Sequence, residues 1–161
     1  IHEGLESTLL ILKYRLQAND SRPDIQVVKD YRELPTIEAF PNQLNQVFMN
    51  ILANAIDVFD EAALQLSDEQ LVLKPQTLTI QTRYLDNVQA VEIRIRDNGK
   101  GMTHEVREKI FEHLYTTKDA DTGTGLGLAL SLQIVRENHS GSLDVDSEVG
   151  QGTEFCIRLP L

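Results

Sequence analysis

Four groups of residues have types and spacings that could do chemistry. Asn50, Asn54, Asp57 and Glu61 fall at i, i+4, i+7 and i+11, which puts four oxygen-bearing side chains along one face of a helix. Asparagine is a mediocre helix former, so two of them in mid-helix carry a cost that propensity does not explain. Alone, the stripe reads most simply as a solvated face. The sharper reading is a set of amide oxygens aimed at a hard cation, because Mg2+ takes oxygen ligands and accompanies substrate phosphates. The second group is Arg96-Asp97-Asn98-Gly99-Lys100-Gly101-Met102. Asp97-Asn98-Gly99 makes a turn in its own right, and Gly99 with Gly101 lets the backbone lie flat against a ligand. A carboxylate at a strand end can accept from an exocyclic amine such as that of adenine, and would meet an acceptor oxygen in guanine.

The third group, Thr122-Gly123-Thr124-Gly125-Leu126-Gly127-Leu128, leads straight into a helical stretch. Alternate glycines free backbone N–H groups to face an anion, and the helix N-terminus adds its dipole, so this is a phosphate site of some kind. It is neither of two familiar ones: the P-loop needs Gly-Lys-Ser/Thr, and the dinucleotide fingerprint needs a third glycine where Leu128 stands. The fourth is Lys118, closing the run Ile110 to Lys118 just ahead of the glycines. It is a point charge able to reach a terminal phosphate, although an isolated lysine is usually an ordinary surface residue.

The elements that must position these groups follow from periodicity. Ser7 to Leu16 reads as a short amphipathic helix and Ile25 to Tyr31 as a strand. Asn42 to Glu61, with apolar Leu44, Val47, Phe48, Ile51, Leu52, Ala55, Val58 and Phe59, predicts a long helix bearing the asparagine stripe. Ala62 to Gln76 reads as a mixed linker. Leu78 to Tyr84 and Val91 to Ile95 alternate with period two about Asp86-Asn87, which predicts a hairpin. A short helix is expected over Thr103 to Phe111, another over Leu128 to Asn138, and strands near Leu143 to Asp146 and Thr153 to Leu159. Five strands and four helices, with hairpin-like pairs and no regular alternation, predict an α+β layer sandwich.

Composition sets the frame. The 161 residues fit one domain. With 15 Lys+Arg against 25 Asp+Glu the net charge is −10, which argues against nucleic acid or an anionic membrane as the main partner. Phosphate must therefore be held locally. A single cysteine, Cys156, excludes an internal disulfide and a cysteine-based zinc site, and reads as a strand residue without redox role. No apolar stretch reaches 18 residues, so the chain reads as cytoplasmic.

Taken in order, the groups resemble the ATP-binding catalytic domain of bacterial sensor histidine kinases, within the wider family that includes DNA gyrase, heat-shock chaperones and the MutL repair proteins. Asn50-Ile51-Leu52-Ala53-Asn54-Ala55 is similar to the N box, Asp97 to Met102 to the first glycine box, and Phe111 to Lys118 to the F box. Gly123 to Leu128 is similar to the second glycine box and Gly150-Gln151-Gly152-Thr153 to the last. The likeness spans about 41–160, with 1–24 as an N-terminal linker and helix.

The resemblance implies a Bergerat-type two-layer sandwich, a mixed, mainly antiparallel sheet backed by helices, with ATP under a lid. It implies that Asn54 ligates Mg2+ with Asn50 assisting, that Asp97 binds the adenine amine, and that Gly99, Gly101 and Met102 line the base. Thr153 would support Asp97 through water, and Gly123, Thr124, Gly125, Leu126 and Gly127 would close on the phosphates with Lys118 at the γ-phosphate. Two positions depart from the pattern: Asp57 stands where a phosphate-contacting Lys or Arg is frequent, and Leu114 where Phe is frequent. Asn50 stands where hydrolysing relatives have a Glu that activates water. An amide cannot take that proton, which favours a kinase whose nucleophile is an imidazole.

A kinase of this kind needs a phosphoacceptor histidine on a dimerisation hairpin. His2-Glu3 has the dipeptide but is followed by Gly4, so His2 reads as linker and the acceptor as belonging to a dimerisation domain outside this chain. His139 reads as structural, and His104 and His113 have no metal-ligand company. The expected partners are ATP, that dimerisation domain and a response regulator. The alternatives are an ATP-driven conformational module of the gyrase or chaperone type, which Asn50 argues against, and a degenerate nucleotide-sensing domain.

Overall fold

The computed structural model describes residues 1–113, 115 and 125–161. Helices α1 (His2–Ile11) and α2 (Lys13–Leu16) precede strand β1 (Gln26–Tyr31), the long helix α3 (Pro41–Ala63) and the short helix α4 (Asp68–Leu73). Strands β2 (Thr77–Leu85) and β3 (Ala90–Asp97) form a hairpin, and α5 (His104–Lys109) follows. Helix α6 (Gly127–Gln133) runs on into a π-turn at Ile134–Asn138 before β4 (Ser142–Glu148) and β5 (Gly152–Pro160). The sheet order is β1-β2-β3-β5-β4, with β1 parallel to β2 and every other pair antiparallel. The expected α+β sandwich is therefore present.

Helix α3 forms where expected because its sequence supplies both a start and a buried face. Pro41 opens it, where a missing N–H costs nothing. Leu44, Val47, Phe48, Ile51, Leu52, Ala55, Ile56 and Phe59 are all buried. They share one core with Leu78, Ile80, Val91, Ile93, Ile95, Leu143, Phe155 and Ile157 from the strands, so the helices cover one sheet face. Alternation sends Arg83, Glu92, Arg94, Cys156 and Arg158 to the other face, where burial pushes the Cys156 thiol up to about 11. Raising a thiol in this way lowers its thiolate fraction at neutral pH and with it its reactivity.

Three elements depart from the sequence expectations. The first helix begins at His2, well before Ser7, and His2 is not linker: its Nε2 lies 2.7 Å from Thr82 Oγ1 and its ring stacks on Tyr31. The segment read as a mixed linker contains α4, capped by Ser67, whose Oγ accepts from Gln70 N while Gln70 Oε1 accepts from Ser67 N. A Ser-x-x-Gln capping box is legible in sequence, but six residues offer too little periodicity to show a helix. The last helix changes winding at Ile134, and the ring of His139 just beyond it is structural, as expected. Its Nδ1 lies 2.9 Å from Ile134 O, and Nε2 accepts from Phe40 N.

On the open sheet face the fully buried Glu92 accepts from Arg83, Arg94 and Arg158 at 2.7, 2.7 and 2.8 Å. Burial pushes this carboxyl up, but the three guanidiniums override it and hold it down at about 2. A depressed carboxylate contributes stability above its unfolded value near 4.5 that is lost as pH falls toward 2. Glu92→Gln is expected to lower unfolding free energy by about 2 kcal/mol at neutral pH, a difference that narrows below about pH 4. Urea unfolding of both proteins at several pH values checks it, and a gap independent of pH would show that charge is not the cause.

Candidate functional site

One cavity, of about 550 Å3, gathers most of the residues singled out above. Its walls come from α3, from the turn after β3, from the start of α6 and from β5. Its lining includes Asn50, Asn54, Asp57, Asp97, Gly101, Met102, Gly125, Gly127 and Thr153. Lys118, Gly123 and Thr124 lie outside the described residues.

Asp97 ends β3 and is 5% exposed. One carboxylate oxygen accepts from Gly99 N at 2.9 Å, and the Thr153 backbone, opposite in register, also bonds the carboxylate. Burial pushes this carboxyl above the usual range, against the pull of those backbone bonds and of Arg96. A buried acceptor on the wall of a cavity selects for a donor such as an amine and against a carbonyl.

The glycines set how closely the walls approach. A Cβ on Gly99 would lie 2.8 Å from Val58 Cγ1 on α3, and one on Gly101, where φ is +71°, would lie 2.0 Å from the Glu148 carbonyl oxygen. Asn98 holds the same turn to the start of β2: its Oδ1 accepts from Thr77 N at 2.8 Å and its Nδ2 donates to Pro75 O at 2.9 Å.

The two asparagines differ. Asn54 lines the cavity and its amide makes no hydrogen bond among the described residues. Asn50 donates from Nδ2 to Gly127 O at 3.0 Å and to Ser131 Oγ at 3.1 Å, which fastens α3 to the first turn of α6. Its Oδ1 keeps its acceptor capacity. Asp57 Oδ1 is paired with Arg15 at 2.5 Å, and Glu61 with Lys100 at 3.2 Å.

Sequence reasoning missed two positioning groups. Ser147 on β4 is buried; its Oγ accepts from Met102 N at 2.8 Å, donates to Gly152 O at 3.0 Å and lies 2.8 Å from Thr153 Oγ1, so it ties the first glycine turn to the β4–β5 hairpin. The signal was a hydroxyl at the inward position after Leu143 and Val145. Arg15 and Arg22 are the other group, and their pairing with α3 spans more than 35 residues that no local pattern connects. An apolar wall of Val106, Ile110, Tyr115, Val149 and Phe155 completes the cavity and suits a flat ring.

Residues 39–161 match the family described as histidine kinase-, DNA gyrase B-, and HSP90-like ATPase. The chain is 34% identical over 157 residues to sporulation kinase E of Bacillus subtilis (strain 168), covering 98% of this chain and 19% of that protein. It is 35% identical over 138 residues to sensor kinase CckA of Brucella abortus (strain 2308), covering 85% of this chain and 14% of that one. It thus spans less than a fifth of either relative. Among solved structures, the catalytic domain of histidine kinase ThkA superposes with a TM-score of 0.75 at 21% identity, covering 99% of this chain and 91% of that one. Full-length ShkA in complex with AMPPNP gives 0.75 at 24% identity, covering 98% of this chain and 29% of that one. The chain shares its fold with these two solved structures.

Proposed function

The chain belongs to the histidine kinase-, DNA gyrase B- and HSP90-like ATPase family, and from that premise we propose that it is the ATP-binding catalytic domain of a two-component sensor histidine kinase, acting in the cytoplasm as one unit over residues 1–161. The observation that carries this is the pairing, in one cavity, of a buried carboxylate acceptor at Asp97 with an uncommitted amide at Asn54. The first suits the adenine amine and the second suits a hard cation beside the phosphates. In this reading Asp97 orients the base, with Thr153 as a water-mediated support, and Gly99, Gly101 and Met102 shape its slot. Gly125, Leu126 and Gly127 present the start of α6 to the phosphates, with Gly123, Thr124 and Lys118 completing the enclosure.

The donor chemistry fits Mg2+, for which Asn54 and the free oxygen of Asn50 would be ligands. When bound, the ion would neutralise phosphate charge and orient the γ-phosphoryl group. The protein's own part is positioning. Asn50 favours the kinase over the hydrolysing branch on two counts: it cannot accept a proton, and its Nδ2 is spent donating to Gly127 O and Ser131 Oγ, which an ionised Glu could not do. The acceptor imidazole would then come from a dimerisation domain of the same kinase, with a response regulator receiving the phosphoryl group afterwards.

The test is transfer of γ-labelled phosphate from Mg·ATP to a separately supplied dimerisation domain. Acid-labile label on that domain is the expected result, and Asn54→Ala is expected to raise the Mg2+ concentration for half-maximal transfer about tenfold. Release of inorganic phosphate without any transfer would favour the conformational ATPase. ATP binding with neither would favour the nucleotide sensor.

A further inference from the structure

At one end the cavity is walled by Asp97, Met102 and Thr153, and three backbone donors there are already spent. Gly99 N donates to the Asp97 carboxylate at 2.9 Å, and the Thr153 backbone N–H donates to the same group. Met102 N donates to Ser147 Oγ at 2.8 Å. The donor left to place is the Thr153 hydroxyl, which, unlike a backbone N–H, can turn. Its proton decides what this wall offers a ligand: turned inward it is a donor, turned away it leaves only lone pairs.

Ser147 settles the direction. It stands behind this wall on β4, 8% exposed, and its Oγ has three neighbours: Met102 N at 2.8 Å, Gly152 O at 3.0 Å and Thr153 Oγ1 at 2.8 Å. A hydroxyl has one proton and two lone pairs. The Met102 N–H takes one lone pair, and the proton goes to the Gly152 carbonyl oxygen, which can only accept. The second lone pair faces Thr153 Oγ1, so the short contact there is satisfied when Thr153 donates. Sending the Ser147 proton to Thr153 instead would set a lone pair against Gly152 O at 3.0 Å, two acceptors with no proton between them.

We propose that Ser147 is a positioning residue for nucleobase selection: by accepting the Thr153 proton it keeps that hydroxyl from donating into the cavity, so that Asp97 and Thr153 together present acceptors only. The proposal rests on the nucleotide reading of the cavity and deepens it. Adenine carries an amine where hypoxanthine carries a carbonyl oxygen. The amine meets the Asp97 carboxylate, whereas the carbonyl oxygen meets acceptors and no proton. Without Ser147 Oγ the Thr153 hydroxyl has no acceptor behind it and turns inward, where a carbonyl oxygen can take its proton.

Selectivity separates this from a purely structural role. Affinities for Mg·ATP and Mg·ITP, whose base is hypoxanthine, are measured by calorimetry on each protein, and their ratio is read, because a loss of folded protein affects both alike. The unsubstituted chain is expected to prefer ATP. Ser147→Ala is expected to narrow that preference about tenfold, the worth of one hydrogen bond. Ser147→Cys, which fills the space with a weak acceptor, is expected to narrow it in the same direction and serves if the alanine variant does not fold. Adding Thr153→Val removes the proton at issue, and the preference is expected to return to within about twofold of its original value. An unchanged ratio in the Ser147 variants, or the same narrowing with Thr153→Val present, would overturn the proposal and leave Ser147 a tie between strands. Equal binding of ATP and ITP by the unsubstituted chain would overturn it as well. If that chain bound neither, the nucleotide reading itself would fall.

Discussion

Asp97→Asn is expected to leave a folded protein that no longer selects ATP. The carboxylate is 5% exposed, and its bonds come from backbone N–H groups, at Gly99 at 2.9 Å and on Thr153. An Asn oxygen can still accept from Gly99 N, so the turn has no reason to open. The substitution does place an amide N–H2 where a nucleobase amine must find an acceptor. Donor against donor leaves both buried and unpaired, which costs about 3 kcal/mol, roughly a hundredfold in affinity. Stability should move the other way. Burial raises this carboxyl above its ordinary value, so the ionised form at neutral pH works against folding, and the isosteric neutral amide relieves that. The expected result is therefore a thermal midpoint equal to or above that of the unsubstituted chain, with Mg·ATP binding lost and GTP bound by neither. Retention of ATP affinity in Asp97→Asn would remove the adenine assignment and every box reading that leans on it.

What could be read from the sequence divides along a physical line. Helix α3 and strands β2, β3, β4 and β5 were legible because each is long enough to show its period and has one buried face. Asn50, Asn54, Asp97 and Gly101 stand out in sequence because a helix interior or a strand end seldom chooses such types for structure alone, and the fold brings them to one cavity with Gly125 and Gly127. What escaped is what depends on distant partners. Nothing near Ser147 in sequence shows that its hydroxyl joins the turn at Met102 to the last hairpin, and nothing near Arg15 shows that it covers Asp57, 42 residues on. Helix α4 escaped for the opposite reason: six residues have a cap but hardly a period. The packing role of His2 is not legible from the neighbouring Glu3 and Gly4, because its contacts with Thr82 and Tyr31 are tertiary.

Gly152→Ala is expected to damage both the fold and the site, and its neighbour Gly150 supplies the control. Both glycines sit at positive φ, +93° and +83°, where an L-residue is strained. They differ in what surrounds them. A Cβ on Gly150 meets nothing within 4 Å, whereas one on Gly152 would lie 2.0 Å from the Asp97 carbonyl oxygen and 3.0 Å from Asn98 Cα. Those are backbone atoms of the strand end that carries Asp97, the acceptor proposed for the nucleobase, so relief requires β5 to part from β3 at the pair Asp97 and Thr153. Strain alone at Gly150→Ala should cost about 1 kcal/mol and leave Mg·ATP affinity intact. Gly152→Ala adds a steric clash that no rotamer relieves, and about 4 kcal/mol is expected from urea unfolding. The protein that still folds should bind Mg·ATP at least tenfold more weakly, because the Thr153 backbone bond to the Asp97 carboxylate opens with the strand. Equal costs for the two alanine variants would mean that positive φ, not the close approach of β5 to Asp97, is what requires glycine here, and the last glycine turn would then have no part in shaping the nucleobase pocket.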